Sequence, residues 1–152
     1  MRLPFLIDTD MAFDDWMALS YLLSHPGIDV RAITIAATGE AHAGFGVQNA
    51  LRLLALTGND STLVAAGRTR PLRGNHVSPW LVRLIMDLRL GLALPRPRSK
   101  PASTTAVALL IDQLRRTTQP ITVVALGPLT NLAEAILVDP SLVKQICMVY
   151  FM

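Results

Sequence analysis

A single cysteine among 152 residues excludes an internal disulfide. Cys147 sits in the apolar run Ile146 to Tyr150, so it is expected as a core residue of a buried strand rather than as a nucleophile. Charge is also scarce, at 16% of residues against 51% hydrophobic, which excludes a disordered chain and argues for one well-buried domain. No apolar stretch reaches the ~18 residues that a membrane span needs, so no membrane association is expected. An export signal is missing as well, because Leu3 to Ile7 runs straight into acidic residues, and the expected location is cytoplasmic. Aromatic residues make up only 5%, and almost none falls among the eight of fourteen basic residues between Arg68 and Lys100. The net charge of +3 therefore reads as a solvated, loop-rich face and not as a nucleic-acid surface.

What the chain has is alternation. Short apolar runs, at Leu3 to Ile7, Val30 to Ala36, Leu63 to Ala66, Ile121 to Leu126 and Ile146 to Phe151, alternate with segments of helical period. The helices are expected at Phe13 to Ser24, Val47 to Leu56, Trp80 to Leu90, Ser103 to Arg116 and Leu129 to Val138. In the third of these, Leu81, Leu84, Ile85 and Leu88 share one side, and Trp16 and Trp80 are expected to pack within their helices. Strand and helix in turn predict an α/β fold, a Rossmann-like and mostly parallel sheet flanked by helices. A parallel strand that ends at Phe151 without a crossover helix reads as truncated.

Four of the eleven acidic residues crowd into the turn after the first strand, at Asp8, Asp10, Asp14 and Asp15. In a parallel sheet the carboxyl end of a strand faces the ligand crevice, and the start of the next helix attracts anions. The spacing predicts that all four side chains converge on one small volume. That many carboxylates favour Ca²⁺ or Mg²⁺ over zinc, since no Cys or His pair adjoins them. An aspartyl-nucleophile phosphatase of the haloacid-dehalogenase type is one reading, although Met11-Ala12 stand where its motif carries Gly or a hydroxyl residue. A non-catalytic fragment is another.

The turn gains a second half at Gly127-Pro128-Leu129-Thr130-Asn131-Leu132-Ala133, again a strand end followed by a helix start. Together with Asp8-Thr9-Asp10 and Asp14-Asp15, it resembles the inosine/uridine-preferring nucleoside hydrolase family over the whole chain. The resemblance implies the N-terminal portion of such a domain across residues 1 to 152, and hydrolysis of the N-glycosidic bond of ribonucleosides to ribose and free base. It implies Ca²⁺ as cofactor, a water activated by that ion, a ribonucleoside as partner and a homo-oligomer, dimer or tetramer, for the full-length family. By the same resemblance Asp10, Asp15 and the main-chain carbonyl of Leu126 are metal ligands, Asp10 is the general base, Asp14 and Glu40 contact ribose, and Asp8 and Asn49 support the site.

The chain departs from the family at several points. Met11-Ala12 replace a Pro-Gly pair, and Glu40 stands where many members carry Asn. His76 lies near a family His-Gly loop, but Val77-Ser78-Pro79-Trp80 does not continue it. His42 is expected as a surface or loop residue, and Thr130 and Asn131 are explained by capping alone. Members are about twice this long, so the isolated chain is expected to be impaired.

Overall fold

The computed structural model describes residues 2–76 and 78–152. Five strands form one parallel sheet: β1 (Leu3–Thr9), β2 (Ile28–Ile35), β3 (Leu63–Ala66), β4 (Ile121–Ala125) and β5 (Ile146–Phe151), in the order β3-β2-β1-β4-β5. Helices α1 (Phe13–Ser24), α2 (Ala43–Thr57), α3 (Trp80–Asp87), α4 (Ala106–Arg116) and α5 (Thr130–Val138) connect them. Strands alternate their side chains between the faces, so Leu6 and Ile7 belong to different cores. On one side Ile7, Ile33 and Ile35 pack with Leu19 of α1 and Leu51 and Leu54 of α2. On the other, Leu6, Ala32 and Val123 pack with Leu110 and Leu114 of α4 and Leu132 of α5. The expected Rossmann-like architecture is thus present.

The sheet grows in one direction from β1 to β3 and in the other from β4 to β5, which opens a crevice at the carboxyl ends of β1 and β4. β1 runs two residues further than expected, so Asp8 pairs with Thr34 and with Ala125 inside the sheet. A short 3₁₀ segment at Pro140–Gln145, capped by the Asp139 carboxylate on Ser141 N, was not visible in the apolar pattern.

Two expectations about burial are overturned. Cys147 is exposed, because β5 has a neighbour on one side only and Met148, Tyr150 and Phe151 stand open with it. Helix α3 turns its apolar stripe outward: Leu81, Leu84, Ile85 and Leu88 are exposed, and Trp80 is 73% exposed instead of packed. Its buried residues are Arg83 and Asp87. Leaving four aliphatic side chains exposed forgoes roughly 1.5–3 kcal/mol each, so with Met86 as a partly buried contact on the core this helix depends on polar contacts as well. Trp16 does pack against the α1/α2 core as expected.

Candidate functional site

At the end of β1, alternation sends Asp8 inward. Thr34 Oγ1 donates to Asp8 Oδ1 at 2.6 Å, and Asn131 Nδ2 donates to the same oxygen at 2.8 Å. Asp8 Oδ2 is buried and has no partner. Burial pushes its pKa up from 3.8 to about 7, against the lowering effect of those two hydrogen bonds, and the charge of Asp10 adds to the rise. The Asp8 carbonyl accepts from Leu126 N at 2.7 Å, which fixes the β4 turn beside the acidic turn.

Asp10 is held by main chain. Its Oδ2 accepts from Glu40 N at 3.1 Å, and its carbonyl accepts from Ala41 N at 3.0 Å. Glycine is required on both flanks: a Cβ on Gly39 would overlap Asp10 Oδ2, and one on Gly127 would come within 2.8 Å of Asp10 Cγ. The Leu126-Gly127 turn therefore lies directly against Asp10. Desolvation raises the pKa of Asp10, and its Oδ1 is buried without a partner.

Asp15 occupies the first turn of α1 and reaches back. Its Oδ2 accepts from Thr9 Oγ1 at 2.5 Å and from Ala12 N at 3.2 Å. Thr9 in turn accepts from Met11 N at 2.9 Å, so one hydroxyl ties the whole turn together. Burial, with the neighbouring Asp10 charge, lifts Asp15 to about 8, and its Oδ1 is likewise unpartnered. Met11 bridges these residues at φ 58, in the left-handed region, with its side chain fully buried. Proline, whose ring holds φ near −65°, cannot take that value, so a proline at position 11 would force this turn onto another path.

The four acids do not all converge. Asp14 lies exposed at the start of α1, and Asp8 is turned toward Thr34 and Asn131. Among the described residues no group of three or more His, Cys, Asp and Glu side chains is gathered as a cation cage. What the turn does offer is chemically specific: Asp8, Asp10 and Asp15 each present one buried carboxylate oxygen with no hydrogen-bond donor. Buried anionic oxygens without donors are costly unless protonated or paired with a cation, and carboxylate oxygens are the donor type that a hard divalent ion takes. Glu40 is half-buried nearby, and its pKa is raised by desolvation and by the charges of Asp10 and Asp14.

Other residues fall differently from expectation. Asn131 is fully buried and serves Asp8, while Thr130 Oγ1 pairs with Thr38 Oγ1 at 3.1 Å; neither side chain caps α5, whose N-cap is Leu129. Asn49 points to the end of α3 and the 3₁₀ segment Arg89–Gly91 after it: Nδ2 donates to Met86 O at 3.3 Å, and Oδ1 accepts from Arg89 Nη1 at 3.3 Å. Among the described residues its side chain makes no hydrogen bond to the acidic turn. His42 is exposed at the start of α2, as expected for a loop position, but its ring meets Asp87 Oδ2 at 2.6 Å. His76 is exposed.

The family model described as inosine-uridine preferring nucleoside hydrolase matches residues 5–152. The chain is 37% identical over 152 residues to the pyrimidine-specific ribonucleoside hydrolase RihA of Citrobacter koseri, covering all of this chain and 48% of that protein. RihA of an Escherichia coli strain (O1:K1 / APEC) is 36% identical with the same coverage. Among solved structures, the plant nucleoside hydrolase PpNRh1 superposes with a TM-score of 0.84 at 32% identity, over 99% of this chain and 48% of that one. The Bacillus anthracis inosine-uridine preferring nucleoside hydrolase shares the fold at a TM-score of 0.83 and 20% identity, covering 100% of this chain and 50% of that one. The chain spans about half the length of the relatives it matches. With the family model matched from Phe5 to the last residue, the chain belongs to the inosine-uridine preferring nucleoside hydrolase family.

Proposed function

We propose that the turn between β1 and α1 is the Ca²⁺ and ribose site of a ribonucleoside hydrolase that releases ribose and a free base. The observation that carries this is the pair of buried carboxylate oxygens without donors on Asp10 and Asp15, beside the Leu126-Gly127 turn, in a chain of this family. Asp10, Asp15 and the Leu126 carbonyl are assigned to the ion, with Asp8 holding the turn in place. When bound, the ion would orient the sugar hydroxyls and make a water more acidic.

The residues themselves divide the remaining work. Asp10 has one oxygen fixed by Glu40 N and the other free, which suits a general base that takes a proton from the attacking water. Exposed Asp14 and half-buried Glu40 are the acceptors available to sugar hydroxyls. Where relatives carry an Asn amide, Glu40 can only accept when ionised, so it recognises a hydroxyl proton rather than a hydroxyl lone pair. The surrounding negative charge favours the oxocarbenium-like transition state, and direct attack by water inverts the anomeric centre. An aspartyl phosphatase has no support from the family match.

The reaction is assigned to the whole protein, in the cytoplasm and as a homo-oligomer, and the metal, water and sugar roles to the residues described. Ribose release from inosine and uridine with added calcium tests this. The isolated 152 residues are expected to turn over slowly or not at all, while binding ribose in a calcium-dependent way that Asp10→Ala and Asp14→Ala remove. Robust turnover would contradict the need for more than these 152 residues, and ribose binding untouched by both variants would contradict the assignment of the site.

A further inference from the structure

Helix α3 buries the wrong side chains for an amphipathic helix. Arg83 is 8% exposed and Asp87 4% exposed, while the leucines face outward. Arg83 Nη2 donates to two main-chain carbonyls, Ala37 O at 3.1 Å and Ala41 O at 3.0 Å. Asp87 takes both the amide and the ring of one residue: His42 N donates to Oδ1 at 2.9 Å, and His42 Nδ1 lies 2.6 Å from Oδ2. The two side chains therefore grip the loop after β2 at both ends, residue 37 and residues 41 and 42. Between those grips lie Gly39, packed on Asp10, and Glu40, whose amide donates to Asp10 Oδ2. Buried charged groups persist where their partners need them, and here the partners are the main chain of a single loop.

We propose that Arg83 and Asp87 are positioning residues: α3 is a polar clamp that holds the Ala37 to His42 loop in register against Asp10, and so sets the orientation of the Asp10 carboxylate. The clamp adds to the partial packing of Met86 in keeping α3 docked while its leucines face outward. It also gives Asn49 a place, since that residue ties α3 to α2 from the far side. The link to metal affinity rests on the calcium reading above; the link to loop position does not.

Amide hydrogen exchange of the metal-free chain separates the two. The Glu40 and Ala41 amides bond to Asp10 and not to α3, so they report where the loop sits. In Asp87→Ala and Arg83→Met those two amides are expected to exchange at least tenfold faster while the β1 amides stay protected. Calcium titration of the same variants is expected to show affinity at least fivefold weaker than in the parent chain. Unchanged Glu40 and Ala41 exchange in both variants would overturn the clamp, whatever the calcium result. Looser loop amides in a chain whose parent form binds no calcium would uphold the clamp and defeat the metal reading. Arg83→Gln, which removes the charge and cannot reach both carbonyls, is the second variant if Arg83→Met exposes β1 as well: loop amides faster than β1 amides support the clamp, and equal protection of both overturns it.

Discussion

At the scale of single residues, the acidic turn is a case of carboxylates deprived of donors. Local spacing made Asp8, Asp10, Asp14 and Asp15 legible, because they sit within eight positions of one another. Their partners were not legible: Thr34 lies 26 positions from Asp8 and Asn131 lies 123 positions away, and only the folded sheet joins them. The Gly-Pro turn before Asn131 marked a helix start, and capping was the cheaper explanation for the side chain that in fact reaches Asp8. Removing it measures how much Asp8 depends on it. Asn131→Ala deletes a hydrogen bond to a buried acid and should cost about 2 kcal/mol in chemical denaturation, more at pH 8 than at pH 5 because the ionised acceptor is then the one stranded. A loss below about 0.5 kcal/mol at pH 8 would show that Asp8 does not rely on Asn131.

At the scale of elements, periodicity located every strand and helix that borders the crevice, and the expected and observed limits agree at α1, β3 and β5. It failed on direction. The stripe of Leu81, Leu84, Ile85 and Leu88 was correctly gathered on one side of α3, but period alone does not say which side meets the core, and Arg83 and Asp87 won the inner face through specific main-chain acceptors. The same blindness applies to β5, where an apolar run reads as buried although the strand has a single neighbour. An outward stripe has a measurable signature. Leu84→Gln and Leu88→Gln should each shift the stability of the chain by less than about 0.5 kcal/mol, where a core leucine on a docked helix would cost 2–5 kcal/mol. Equilibrium unfolding in urea decides between the two, and a loss in the larger range would place the stripe inside.

At the scale of the whole molecule, a β3-β2-β1-β4-β5 sheet brings the acidic turn of β1 and the Leu126-Gly127 turn of β4 together, and the burial that makes the fold also raises the carboxyl pKa values there. Asp8 at about 7 and Asp15 at about 8 bind protons in the folded chain that the unfolded chain releases near 3.8. Folding of the metal-free protein is thus favoured by these groups below about pH 4, and their contribution is lost as pH rises through 7 to 8. Thermal melts in a chelator should show a lower midpoint at pH 8.5 than at pH 5.5, and a higher midpoint at pH 8.5 would contradict the raised values. A divalent ion competes for the same oxygens, so its affinity should climb across that window. The most direct test of the site is therefore calcium titration by calorimetry at pH 8 on the parent chain, Asp10→Ala and Asp15→Ala. One calcium per chain, with affinity falling at least tenfold in each variant, is the predicted result; no binding by the parent chain, or equal binding by all three, would contradict it.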